Sequence, residues 1–459
     1  MDHSSVGVLL HDAAWRATAY LEGLESRRVF PAAEAIDRLG ALGGPLPEKP
    51  AEAGAVLALL DEIGSPATVA SAGPRYFGFV TGGSVPAALA ADWLAGAWDQ
   101  NAAFAVMSPV AAAVEETALA WLVDLLHLPA GSAGAFVTGT TVANLTALAA
   151  ARHAVLGRVG WDVEADGLFG APPITVVVGD EVHVSLLKAL SLLGLGRDRI
   201  TRVPVDRHGR MRPEALPRIN GPAIVCAQAG NVNTGSFDPM PDICATAHET
   251  GAWVHVDGAF GLWAAASPSL SHLTRGVDGA DSWAVDAHKW LNVPYDSGIA
   301  FARDPAQLRA AMSAAAAYLP QGGPREPCHY TPEMSRRARG IEIWAALRSL
   351  GRTGVVELIE RNCRQAARLA HGLAQGGYAI LNDIVLNQVL VSFGDDRATG
   401  QVIEAVQRDG TCWCGGTVWR GRAAMRISVS SWATTDGDID RVISAILRVA
   451  REAVRGGNG

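Results

Sequence analysis

The feature that most constrains the fold is an alternation. From about residue 131 onward, short apolar runs rich in β-branched residues take turns with stretches of helix formers: ITVVVG, RVPV, AIVCAQ, WVHVDG, SWAVDA and GIAFA. Such runs suit strands covered on both faces, and their alternation with helices implies a largely parallel α/β sheet. Residues 71–330 are therefore expected to form a large domain around that sheet. Upstream, LLHDAAWRATAYLEGL and AVLALLDEIG have amphipathic helical spacing and are separated by the Pro/Gly-rich GGPLPEKP. This predicts a helical arm over residues 1–70. After QGGPREPCHYTPE, a long helical region from Arg337 to Ala374 leads to YAILND, VLNQVLVSF, MRISVSSW and a last helix, which reads as a small α+β domain over residues 331–459. A chain of 459 residues is too long for one hydrophobic core, so a division into subdomains is expected on size alone.

Composition narrows the function. Lys plus Arg total 38 against 46 Asp plus Glu, a formal net charge of −8, and no basic run stands out, so nucleic acid is a poor partner. No stretch approaches the roughly 20 apolar residues of a membrane span. The six cysteines are scattered, and the start MDHSSVGVLL lacks the basic head and apolar core of a signal peptide, which makes the cytoplasm the expected compartment. Cys412 and Cys414 lack a second ligand pair at zinc spacing, so no metal site is expected. A small-molecule substrate fits best.

Three segments carry chemistry. Gly134–Asn144 (GAFVTGTTVAN) places Thr140 and Thr141 at the start of a helix, where backbone N–H groups, the helix dipole and two hydroxyls suit a phosphate; turn and cap residues would look the same. WVHVDGA ends an apolar strand in Asp257, at the edge where α/β sheets bind ligands, although an Asp there can also cap the next turn. SWAVDAHKW delivers His288 and Lys289 between apolar residues. A desolvated lysine becomes a Schiff-base nucleophile, whereas a snorkelling surface lysine is the ordinary alternative.

Taken in order, a phosphate-type helix start, His183 in DEVHVSLLKA, Asp257 closing a strand and Lys289 supply the contacts of one cofactor. The sequence resembles the group II pyridoxal-phosphate-dependent amino acid decarboxylases, which include aromatic amino acid, glutamate and cysteine sulfinate decarboxylases. The resemblance implies the aspartate aminotransferase-like fold type I, an α/β fold with a helical N-terminal arm and a small α+β C-terminal domain. It implies pyridoxal 5'-phosphate on Lys289, its phosphate near Thr140, Thr141 and His288, its ring nitrogen on Asp257, and its faces against His183 and Ala259. Tyr318, in AAYLPQGG, takes the place of the family's proton-donating tyrosine. GPRYFGFVTGGS and its surroundings imply Phe79, Thr81 and Phe104 as substrate-pocket residues, and Arg426 resembles the arginine that approaches the substrate carboxylate in fold relatives. The resemblance also implies a homodimer.

The expected reaction is decarboxylation of an L-amino acid, with a slight lean to an apolar or aromatic side chain from Phe79, Phe104 and Trp413. Transamination, aldol-type cleavage and decarboxylation-dependent oxidative deamination run on the same cofactor contacts, and a non-catalytic protein on this fold is a further alternative. Val142, Gly230-Asn231-Val232 and the Cys412-Trp413-Cys414 segment depart from the family pattern and bear on substrate identity.

Overall fold

The structure, a computed structural model, describes residues 3–313 and 325–456. It divides into two compact units, one made of Met1–Thr81, Arg368–Leu381 and Leu390–Gly459, the other of Gly82–Ala367 and Asn382–Val389.

The larger unit is built on seven strands: β1 (Ala133–Val137), β2 (Thr175–Gly179), β3 (Thr201–Val203), β4 (Ala223–Gln228), β5 (Trp253–Asp257), β6 (Ser282–Asp286) and β7 (Gly298–Ala302). Their order is β1-β7-β6-β5-β4-β2-β3. Strands β2 to β6 run parallel to one another, whereas β7 is antiparallel to both β1 and β6, so the sheet is mixed. Each apolar run read from the sequence becomes a strand of this sheet. β5, β6 and β7 are buried along their whole length, the state in which a strand needs no polar face.

The helix Thr140–Gly157 packs across β5, β6 and β7. Its inner positions are small: Ala143 and Ala147 lie with Val137, Ala284 and Ala300 in one buried cluster. Alanine here lets the helix axis approach the sheet and brings its first turn to the ends of the strands. The approach is closest where β7 begins. A Cβ at Gly298 would stand 2.4 Å from the Cα of Gly139, the residue before the helix.

In the smaller unit, the helices His3–Glu22 and Ala53–Ala67 form the N-terminal part. Val8, Leu10 and Trp15 on the first of them are exposed. The second sheet, in the order β10-β11-β9-β8, comprises β8 (Ala379–Ile380), β9 (Gln388–Ser392), β10 (Gly415–Trp419) and β11 (Arg422–Ser428). Helices Asp396–Asp409 and Asp436–Gly456 accompany it. Among the described residues no helix is long and apolar enough to cross a membrane.

Gly298→Ala is expected to lower stability by about 1–3 kcal/mol, because the methyl group meets backbone rather than a movable side chain. Urea unfolding followed by intrinsic fluorescence measures the loss.

Candidate active site

The carboxyl ends of β5 and β6, the start of β7 and the first turn of the helix Thr140–Gly157 meet in the larger unit. Asp286 closes β6 and is buried. Its Oδ1 accepts the backbone N–H of Thr140 at 2.6 Å, and its Oδ2 lies 2.8 Å from the Nζ of Lys289. Burial pushes this carboxyl toward the neutral form, but the charge of Lys289, the neighbouring His288 and the hydrogen bonds from Lys289 and Thr140 outweigh it and hold the pKa below its usual value. Asp286 thus caps the helix and pairs with the lysine at once.

His288 is anchored from behind. Its Nδ1 accepts the backbone N–H of Ser297 at 3.1 Å, and its ring stacks on Tyr295 with centroids 4.4 Å apart. Burial lowers its pKa despite the opposing charge of Asp286, so the neutral ring carries its proton on Nε2, which lies 3.6 Å from Asp286 Oδ1. Lys289 is fixed through its backbone: a Cβ at Gly82 would stand 1.7 Å from the Lys289 carbonyl oxygen, a space only glycine leaves open.

Asp257 is 5% exposed. Its Oδ1 accepts the N–H of Ala259, and its Oδ2 accepts the Nδ2–H of Asn144, each at 3.2 Å. Asn144 Oδ1 is 2.9 Å from His255 Nε2, and His255 Nδ1 is 2.9 Å from Ser282 Oγ. His255 is fully buried, which drives its pKa down from 6.5 to about 3. Cys226, its register partner on β4, is kept a neutral thiol by burial and then by the negative charge of Asp257.

Thr140, Thr141, Asp257, Ala259, His288 and Lys289 all belong to the strand-end cluster or its first helical turn. His183 caps the helix Val184–Leu192; its Nδ1 accepts the Ser185 N–H and faces the Ser185 hydroxyl at 2.7 Å, which fixes the ring. Phe104 lies in the same unit, in a small buried cluster with Ala103 and Cys328. Phe79, Thr81 and Arg426 belong to the other unit. Phe79 is exposed, with a φ of 53° and its ring stacked on Trp413 at 5.4 Å. Thr81 is buried and its N–H donates to the Gly78 carbonyl. Arg426 is half-buried on β11, which lowers its pKa. Tyr318 lies outside the described residues. Cys412 and Cys414 are both buried and free.

Four residues of the cluster were not singled out from sequence: Asp286, Ser297, Asn144 and His255. Two had a readable signal. SWAVD ends in Asp just as WVHVD does, and His255 precedes Asp257 by one period of a strand, on the same face.

Residues 45–394 match the pyridoxal-dependent decarboxylase conserved domain. An aromatic-L-amino-acid decarboxylase of Bacillus atrophaeus is 30% identical over 61% of this chain and 58% of its own length, so the chain spans less than two thirds of that relative. An L-2,4-diaminobutyrate decarboxylase of Rhizobium meliloti is 30% identical over 80% of this chain and 76% of its own. Among solved structures, that of Oryza sativa TDC with PLP and tryptamine superposes with a TM-score of 0.90 at 24% identity, covering 98% of this chain and 99% of that one. The chain belongs to the pyridoxal-dependent decarboxylase family. Fold type I and the pyridoxal phosphate cofactor follow with that membership.

The cluster itself fits the cofactor. The hydroxyls of Thr140 and Ser297 are buried with no hydrogen-bond partner among the described residues, next to the two glycines where the helix start and β7 touch. Two orphan hydroxyls, the Nε2–H of His288 and a lysine in one place form a donor set that calls for an anion with several oxygens.

His255 supplies a pH-dependent check. Its pKa is about 3 in the folded protein against 6.5 ordinarily, so its contribution to stability is complete above pH 6.5 and is lost as pH falls toward 3. Unfolding midpoints measured at pH 7, 5.5 and 4.5 should fall more steeply for the native chain than for His255→Gln. Asp238, pushed up to about 6 by burial, acts in the opposite direction in both proteins and cancels in the comparison.

Proposed function

We propose that the protein removes the α-carboxylate of an L-amino acid with an apolar or aromatic side chain, releasing carbon dioxide and the amine. The observation that carries this reading is Lys289, held at 2.8 Å from Asp286 beside two unpartnered buried hydroxyls at a helix start. Pyridoxal phosphate, when bound, supplies an electron sink for the carboxylate bond. Lys289 would hold the cofactor carbonyl; Thr140, Thr141, Ser297 and the Nε2–H of His288 would hold the phosphate; and Asp257 would pair with the ring nitrogen. His183, whose ring is fixed by Ser185, and Ala259 would flank the ring. Tyr318 delivers the proton to the α-carbon. The family resemblance assigns Phe79, Thr81 and Phe104 to the recognition of the substrate side chain and Arg426, a half-buried guanidinium suited to a carboxylate, to the substrate carboxylate.

Two further expectations belong to the same reading. The exposed apolar residues of the arm, Val8, Leu10 and Trp15, support a homodimer in which the arm is covered. The six free cysteines support a cytoplasmic setting.

The purified protein should show a visible absorbance band that borohydride abolishes, and a screen across amino acids should release carbon dioxide with a stoichiometric amine. Lys289→Ala should lose the band and all measurable turnover. A keto acid as sole product would move the assignment to transamination, and an aldehyde with peroxide would move it to oxidative deamination.

A further inference from the structure

Behind Asp257 a chain of buried polar side chains runs across three elements. Trp253 Nε1 donates to Ser282 Oγ at 2.8 Å, Ser282 Oγ meets His255 Nδ1 at 2.9 Å, His255 Nε2 meets Asn144 Oδ1 at 2.9 Å, and Asn144 Nδ2 donates to Asp257 Oδ2 at 3.2 Å. Trp253, His255 and Asp257 share one face of β5, and Ser282 is the register partner of His255 on β6. Ser282 and Asn144, like His255, are fully buried.

The two ends give this chain a single direction. An indole N–H can only donate, and an ionised carboxylate can only accept. Because Asp257 accepts, Asn144 must turn its amide N–H₂ toward it, and its Oδ1 therefore faces His255. His255 must then carry its proton on Nε2, which leaves Nδ1 as the acceptor of the Ser282 hydroxyl. Ser282 in turn accepts from Trp253. Were any link reversed, Asn144 would present its carbonyl oxygen to the carboxylate, an unfavourable contact between two buried acceptors. Burial reinforces this arrangement by keeping the imidazole neutral, since a charged ring would need a second acceptor at Nδ1.

We infer that Asn144, His255 and Ser282 are positioning residues that lock the amide of Asn144 toward Asp257, and thereby fix the carboxylate that receives the cofactor's ring nitrogen. The inference rests on the reading of Asp257 as the ring-nitrogen partner. It gives a function to Ser282, which touches neither the cofactor's lysine nor Asp257 and acts three hydrogen bonds away. With Ser282 removed, His255 can place its proton on Nδ1, Asn144 is free to flip, and the carboxylate keeps the Ala259 N–H but loses its side-chain donor.

The test uses the holoenzyme and two readouts other than turnover: the dissociation constant of pyridoxal phosphate, from fluorescence quenching on titration of the resolved protein, and the position of the visible absorbance band. Asp257→Ala is the reference. Ser282→Ala and Asn144→Ala should each weaken cofactor binding on the order of tenfold, the effect of losing one hydrogen bond to a charged group, and should move the band in the direction that Asp257→Ala moves it. His255 supplies the rescue pair. His255→Gln places an amide N–H where Nε2–H lay and should retain the native band, whereas His255→Asn reaches only the Nδ1 position and should behave like Asn144→Ala. If Asn144→Ala fails to fold, Ser282→Ala, which deletes one oxygen atom, carries the test. A shifted band in Asp257→Ala with native bands and affinities in Ser282→Ala, Asn144→Ala and His255→Asn overturns the relay and leaves the reading of Asp257 standing. Native values in Asp257→Ala overturn that reading and the relay with it. Affinity losses that follow melting temperature, with the band unmoved, reduce the three residues to structural support and also overturn the inference.

Discussion

A buried carboxylate is costly unless charge and hydrogen bonds surround it, and Asp286 satisfies that requirement by joining three parts of the chain. It takes the first N–H of a helix, the ammonium of Lys289 and the neighbourhood of His288. Each partner gains position in return. The helix start is pinned to the end of β6, the lysine is held at the edge of the sheet, and His288 presents a defined ring nitrogen. Removing the carboxylate would leave Lys289 and the helix N-terminus without their shared acceptor, so the geometry of the cofactor cluster depends on this residue more than on those expected to touch the phosphate.

The glycine contacts serve the same end by steric means. Gly298 against Gly139, and Gly82 against the carbonyl of Lys289, allow backbone to approach backbone at distances that any side chain would prevent. The alanine-lined face of the helix Thr140–Gly157 brings the polar groups on its first turn down to the strand ends. Small residues thus do the work of placement, and polar residues do the work of recognition.

Much of this was legible in the sequence and some was not, for reasons that can be stated residue by residue. The apolar runs identified six of the seven strands of the larger sheet, most of them buried on both faces with no polar side to obscure the pattern; AGAFV, which became β1, was not among them, since its Ala and Gly carry little strand signal. GIAFA could not reveal its direction, since composition is indifferent to whether a buried strand runs parallel or antiparallel; β7 is the one that reverses. Thr140, Asp257, His288 and Lys289 stood out because each ends an apolar run or begins a helix. Asn144 and Ser282 did not, because a buried amide and a buried hydroxyl are uninformative until the fold brings them to His255. Asp286 was overshadowed by the His-Lys pair that follows it, although its position at a strand end repeats that of Asp257. Tyr318, outside the described residues, is assigned through family resemblance alone, as an isolated aromatic residue in a Gly/Pro-rich segment carries no pattern of its own.

The reversed strand has a consequence for synthesis. Among the described residues β1 pairs only with β7, so the first strand of the larger sheet to leave the ribosome waits for the last one to supply its partner. Residues 133–137 must wait until residue 302 has emerged, an interval on the order of ten seconds or more at ordinary translation rates. During that time the helix Thr140–Gly157 can settle on β5 and β6 only after they too appear, and AGAFV remains an unpaired apolar strand. The nascent chain therefore passes through a stage in which this apolar strand has emerged without the edge it will pair with.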